Sequence, residues 1–140
     1  MSTRSRIGIL THSTNIRSIY CHWDGYPSHM GKVLHQFYGT KALVNELLDK
    51  GDARLIDLDT GESEHYMHSE GGCPSETMTL NLFTEHFLEQ YNYIAIPIRD
   101  EDGFYTNVAW VVCEPPIKPR DGVEFKLVVK IGRASCREIG

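Results

Sequence analysis

The chain lacks any apolar run near the ~18–20 residues that a membrane-spanning helix needs, and its start carries no leader of basic, apolar and small residues. The expectation is a cytoplasmic protein with no membrane partner. Its four cysteines, Cys21, Cys73, Cys113 and Cys136, form no CxxC pair. In a reducing compartment they read as free thiols rather than a disulfide framework. Excess positive charge is missing too. The formal net charge is −5, which argues against a broad phosphate-binding surface, because non-specific nucleic-acid affinity rests on Lys and Arg. A local basic patch stays open. There is no internal repeat and no low-complexity stretch. What is present is ordinary for a packed globule. With 41% hydrophobic and 24% charged residues, 140 residues suit one domain that buries its core without staples.

One stretch stands apart. Ile131 to Gly140, IGRASCREIG, has neither helical nor strand periodicity and follows a clean alternating run abruptly. It resembles a reading frame of a widely used DNA-sequencing adapter. The expected organisation is therefore a single domain over 1–130, with a non-native tail over 131–140.

Arg4–Thr11 and Ile16–Trp23 are rich in β-formers and separated by small polar residues, which predicts an N-terminal hairpin. A three-residue loop Ser13-Thr14-Asn15, with Asn15 left-handed, sets Ile7 opposite Cys21 and Ile9 opposite Ile19. The other face then carries Arg6 opposite His22, Gly8 opposite Tyr20 and Leu10 opposite Ser18. Asp24-Gly25-Tyr26-Pro27 is turn chemistry. Ser28 suits an N-cap, and Met30, Val33, Leu34 and Phe37 follow at helical spacing. Gly39 ends that helix, Thr40 caps a second with Leu43, Val44, Leu47 and Leu48 on its apolar stripe, and Gly51 stops it. Residues 52–79 turn polar and irregular, with only Arg54–Leu58 reading as a short strand. A third helix is expected from about Asn81 to Tyr91, then strands Tyr93–Ile98 and Phe104–Cys113 about an Asp100–Gly103 turn. Pro97 favours an edge or a bulge. Glu114–Arg120 reads as a linker and Val123–Val129 as a last strand. The order predicts an α+β fold, an antiparallel sheet with helices on one face.

The N-terminal third, STRSRIGIL…SIYCHWDGYPSHMGKVL…LLDKGD, resembles a family of small proteins common in bacteriophages and mobile elements. The match covers roughly the first 50 residues and is carried by the STRS start, the CHWDGYP core and the Gly-Asp after the second helix. Beyond Asp52 the chain departs from that pattern. The resemblance implies a viral accessory role in the host cytoplasm and no particular reaction.

CHWDGYP, Cys21–Pro27, is the densest cluster of reactive side chains. A Cys21–His22 nucleophile and base pair oriented by Asp24 fails on geometry, because adjacent strand residues point to opposite faces. No catalytic residue is therefore assigned. The alternate face is a better candidate for binding. Arg6, Tyr20 and His22 share it with Ser18, and the following loop brings Tyr26, Asp24 and a helix start at Ser28 beside them. Arg4 and Arg6 can pair with a phosphate, the helix start offers free amide protons, and Tyr20 or Trp23 can stack on a base. Gly8 opposite Tyr20 leaves room for a flat ligand. A plainer reading needs no ligand: Trp23 anchors the core, Asp24-Gly25 makes the turn and Ser28 caps the helix. His65, His68 and Cys73 are too irregularly spaced for a zinc site, so no metal and no cofactor are assigned. The acidic set Asp57, Asp59, Glu62 and Glu64 reads first as a solvated loop.

The expected function is an accessory binding protein that counters a host process such as antiviral defence. It would do so by sequestering a nucleotide-like, phosphorylated small molecule or by blocking a host protein. The alternative is a small metal-dependent phosphodiesterase using the acidic segment with His22 or Asp24. Self-association through edge strands fits either.

Overall fold

A strand whose apolar residues recur at every second position wants one face dry, and Ile7 and Ile9 in the first half of the N-terminal hairpin and Ile19 and Cys21 in the second have this spacing. The structure, a computed structural model, describes residues 3–12, 15–79, 89–113 and 137–138. In it β1 (Ser5–His12) and β2 (Asn15–Cys21) pair antiparallel as expected. The register differs from expectation by two residues. Ile7 lies opposite Ile19, Ser5 opposite Cys21, Arg6 opposite Tyr20 and Gly8 opposite Ser18. Asn15 belongs to the strand rather than to a left-handed loop position, and an irregularity between Leu10 and His12 absorbs the difference. An even shift keeps every side chain on its expected face, so Ile7, Ile9, Ile19 and Cys21 still form one buried surface.

Against that surface pack the helices. A five-residue π turn (Pro27–Gly31) runs directly into α1 (Lys32–Phe37), and α2 (Lys41–Asp49) follows. Met30, Val33 and Leu34 from the first pair and Val44, Leu47 and Leu48 from the second are buried in one cluster with the hairpin. The Thr40 side chain accepts the Leu43 amide at 3.3 Å, capping α2 as its position predicts. Gly51 ends α2 at φ +79°, where a Cβ would meet the Cys73 carbonyl at 2.8 Å.

The class is α+β with an N-terminal hairpin, and the sheet is mixed rather than wholly antiparallel. Its order is β4-β3-β2-β1-β6-β7-β8, with β5 also on β2. Here β3 is Ala53–Ile56, β4 Ser63–His65, β5 Glu76–Thr79, β6 Tyr91–Ile98, β7 Asn107–Cys113 and β8 Arg137–Glu138. β6 lies parallel to β1, with Ser5 against Tyr91 and Ile9 against Ala95, and β3 lies parallel to β2 at Cys21. The α1–α2 segment supplies the crossover that a parallel β2–β3 pair requires.

Residues 52–79 hold three short strands rather than one, and Tyr91 opens β6 rather than closing a helix. Pro97 falls past the end of the β1–β6 ladder, so its missing donor costs nothing on that side. Arg137 and Glu138, inside the stretch read as a tail, pair with Val112 and Val111. Residues 81–88 of the helix expected from Asn81 to Tyr91, the linker at 114–120 and the strand at 123–129 lie outside the described residues.

One feature of β2 matters for the site. Its outer edge is shared by two partners, β5 along Asn15–Ser18 and β3 at Cys21. Between them the Tyr20 amide has no strand to pair with, and the Asp52 carboxylate fills the place, Oδ1 accepting it at 3.0 Å. The other oxygen of Asp52 accepts the Cys73 amide at 3.2 Å.

Candidate functional site

The CHWDGYP loop is held by backbone bonds at both ends. Past the end of β2 at Cys21, the His22 amide donates to the Ala53 carbonyl (3.1 Å) and the Trp23 amide to the Arg54 carbonyl (3.0 Å), so the chain stays tied to β3 as far as Trp23. Asp24 then adopts φ +56°, the one left-handed non-glycine among the described residues. That conformation is costly for an L-residue and persists only where neighbours fix it. Gly25 does so: its amide donates to the Thr3 carbonyl (2.8 Å), and its carbonyl accepts the buried Tyr93 hydroxyl (2.6 Å). A Cβ on Gly25 would stand 2.7 Å from the Thr3 oxygen and 2.8 Å from the Ser5 Cβ, so no other residue fits.

On the sheet face away from α1 and α2, Arg6, Ser18, Tyr20 and His22 come together as the alternation predicts. Arg6 is 9% exposed; its Nε donates to Ser18 Oγ (3.0 Å), one terminal nitrogen donates to the Ser18 carbonyl (3.4 Å), and Glu76 of β5 pairs with it at 3.6 Å. The Tyr20 hydroxyl and His22 Nδ1 share a 2.6 Å hydrogen bond. Burial pushes the Tyr20 hydroxyl up, opposed by the Arg4 charge, and burial likewise raises the Glu89 carboxyl against the pull of Arg4 and Arg6. The row is thus two guanidinium groups answered by two carboxylates. Arg6 is committed to Ser18 and Glu76, and Arg4 is the exposed cation of the pair. The space expected at Gly8 is filled: the Ile16 side chain stands 2.6 Å from where a Cβ would be.

Tyr26 and Ser28 go elsewhere. Tyr26 is the N-cap of the π turn with no side-chain cap bond, and Ser28 sits inside that turn rather than capping it. Tyr26 meets His29 edge-on at 6.0 Å, and His29 Nε2 donates to the Ile56 carbonyl at 2.8 Å. The buried side of this turn belongs to the helix-covered core, across the sheet from Arg6, Tyr20 and His22. The left-handed turn at Asp24-Gly25 carries the chain from one face to the other. The helix start and the arginine row therefore do not converge on one anion.

What gathers beside Tyr20 and His22 instead is aromatic. Trp23 is 40% exposed rather than a core anchor, and its ring meets His22 edge-on at 4.7 Å. Arg54 lies over the Tyr66 ring at 4.7 Å and bonds to Glu70 at 2.9 Å. Tyr66 is close enough to bear on the titration of Tyr20. Asp52, Arg54 and Tyr66 come from the 52–79 stretch read as polar and irregular; Arg54 opened the one short strand expected there, and for Tyr66 there was no signal.

Cys21, Asp57 and His65, groups of the kind that catalysis uses, are engaged in structural contacts. Cys21 is fully buried, its thiol pushed up to about 12, first by burial, so it holds no thiolate at neutral pH. His65 Nδ1 faces the Gly51 carbonyl (2.8 Å), which can only accept, so Nδ1 carries the proton and Nε2 accepts from the Ser63 hydroxyl (2.7 Å). Asp57 Oδ2 accepts the Thr60 amide, the Thr60 hydroxyl and the Asp59 amide, and these bonds hold its carboxyl below the usual range. Among the described residues no three His, Cys, Asp or Glu side chains gather as a metal would require, and no helix is long and apolar enough to cross a membrane. Comparisons with protein-family models, with curated proteins and with solved structures find no match to this chain.

Proposed function

We propose that the chain is a binding protein of the phage accessory type, which holds a nucleotide-like or other phosphorylated small molecule. By holding it in the host cytoplasm, the protein withdraws it from a process such as antiviral defence. The observation that supports this reading is the exposed Trp23 ring standing edge-on to the hydrogen-bonded His22–Tyr20 pair, on a loop fixed by Gly25 and Tyr93. Such a ring offers a stacking surface for a base, worth about 1–3 kcal/mol where it is used. Arg4 supplies the accessible positive charge, and His22 with Tyr20 supplies polar atoms that fix orientation. Arg6 supports the row from beneath through Ser18.

The test is retention without turnover. Purified protein is incubated with a pool of host nucleotides, washed, denatured, and the released compounds identified by mass spectrometry. An intact phosphorylated compound, retained by the native chain and lost on Trp23→Ala and on Arg4→Ala, is the expected result. A converted product would move the case to a hydrolase. A pool returned with nothing bound or changed would overturn the small-molecule reading.

A further inference from the structure

The connection between β6 and β7 spends many hydrogen bonds on holding apolar side chains out in water. Asp100 is its keystone. Oδ1 accepts the amides of Asp102 (2.9 Å) and Phe104 (3.0 Å), Oδ2 accepts the Thr106 hydroxyl (2.7 Å), and the Asp100 amide donates to the Phe104 carbonyl (2.7 Å). Gly103 takes φ +87°, and its amide closes the turn on the Asp100 carbonyl at 3.1 Å. The base is tied to the body of the domain, because the Lys41 amide at the start of α2 donates to the Thr106 carbonyl (2.9 Å). From this frame Phe104 stands 66% exposed, Tyr105 51% and Ile98 42%, three of the eight large hydrophobics exposed among the described residues. Arg99 lies over the Tyr105 ring at 5.3 Å with its Nε on the Tyr105 hydroxyl (3.1 Å), fixing that ring, while Phe104 is held through its backbone.

A loop serving only to join two strands gains nothing from fixed, exposed aromatics. Rigid aromatic side chains on a preorganised loop are what a protein interface uses, because little side-chain entropy is left to lose on docking. Charge selects the occupant. Glu101 and Asp102 flank the aromatics, are exposed, and take part in no ion pair among the described residues; with Asp100 they outnumber the single cation of the tip, Arg99, which is held on Tyr105. Two copies meeting tip to tip would oppose their carboxylates, and an anionic lipid surface would repel them. We propose that the β6–β7 tip is a docking surface for a partner protein whose surface offers an apolar recess bordered by Lys or Arg. The surface is independent of the ligand reading at Trp23, since no residue is shared between them.

A display library of random short peptides is selected on the immobilised full chain, with parallel selections on Phe104→Ala and on Glu101→Lys/Asp102→Lys. The expected result is recovery of sequences combining Lys or Arg with Leu, Ile or Phe. A synthetic representative would bind the native chain and shift the amides of residues 98–106, with affinity about tenfold weaker or worse for either variant. Phe104 is mostly in solvent, so its removal leaves the fold standing; Tyr105→Ser provides a second truncation, and circular dichroism confirms both. Recovered peptides without basic enrichment, or affinity indifferent to Phe104 and to the charge reversal, would overturn the proposal. So would a chain that dimerises through the tip, or one that floats with anionic vesicles until Phe104 is replaced.

Discussion

Asp52 tests how the sheet is closed around the site. Replacing it by Ala removes the acceptor of the Tyr20 amide at 3.0 Å and of the Cys73 amide at 3.2 Å in one step. The first bond is partly buried and has no replacement strand, because β5 stops at Ser18 and β3 begins its pairing at Cys21. A hydrogen bond to a charged group contributes about 1.5–3 kcal/mol, and an amide left without a partner carries its own desolvation cost. The second bond is exposed and contributes less. Together they set an expected loss of about 2–3 kcal/mol for Asp52→Ala. Asp52→Asn separates the two contributions: its carbonyl can still serve Tyr20, while its amide group then faces the Cys73 donor, for a loss of about 1–2 kcal/mol. Urea unfolding followed by far-ultraviolet circular dichroism gives both values, and hydrogen exchange at the Tyr20 amide reports the bond itself. An Ala variant within about 0.5 kcal/mol of the native chain, with Tyr20 exchange unchanged, would refute the reasoning.

Two further outcomes follow from the buried groups. At about pH 8 a thiol with its pKa near 12 carries roughly a thousandfold less thiolate than an ordinary one, so iodoacetamide should label exposed Cys73 in the native chain and spare Cys21 until urea is added; equal labelling rates would contradict the burial argument. His65 is held below the ordinary histidine value of 6.5, first by burial, so its neutral form contributes stability that is complete above about pH 6.5 and lost as pH falls toward the lower folded value. Urea midpoints at about pH 7.5 and 5.5 should therefore fall less for His65→Gln than for the native chain, and identical slopes would rule His65 out as a source of acid sensitivity.

The parts of this fold that the sequence announced are those decided locally. Val33 and Leu34, and Val44, Leu47 and Leu48, mark two helices by spacing alone, and Thr40 and Gly51 bound the second because capping is chemistry between near neighbours. Period-two alternation put Arg6, Ser18, Tyr20 and His22 on one face for the same reason. Register was not legible in this way. It depends on an irregularity near Thr11 that leaves no mark in composition, and only the even size of the shift preserved the faces. Strand direction was hidden too, since Tyr91–Ile98 alternates alike whether its neighbour runs parallel or antiparallel. Ser63–His65 and Glu76–Thr79 are short and polar because they lie at edges, so they read as loop. At the site, the partner of Arg6 turned out to be Glu76, a residue only long-range pairing could bring there. The crossing of Asp24-Gly25 from one face to the other is a matter of one left-handed residue, and it separated Ser28 from the row it was expected to join.

The pairing of Ser5 with Tyr91 also constrains how this molecule comes into being. β1 lies between β2, its immediate successor, and β6, which is synthesised only after most of the domain. While the chain is emerging, the hairpin can close on one side, and the other side of β1 waits as an open edge carrying Ile7 and Ile9. A nascent chain in that condition is exposed to pairing with its neighbours, and the rate of reaching the native state is governed by closing a loop that spans α1, α2 and the strands from β2 to β5. The loop with Trp23 is in the same position, because its clamp on the Gly25 carbonyl comes from Tyr93. The motif that opens the chain is therefore no portable cassette: cut out or grafted at residue 52, it would leave behind the strand that completes its sheet and the hydroxyl that sets its shape.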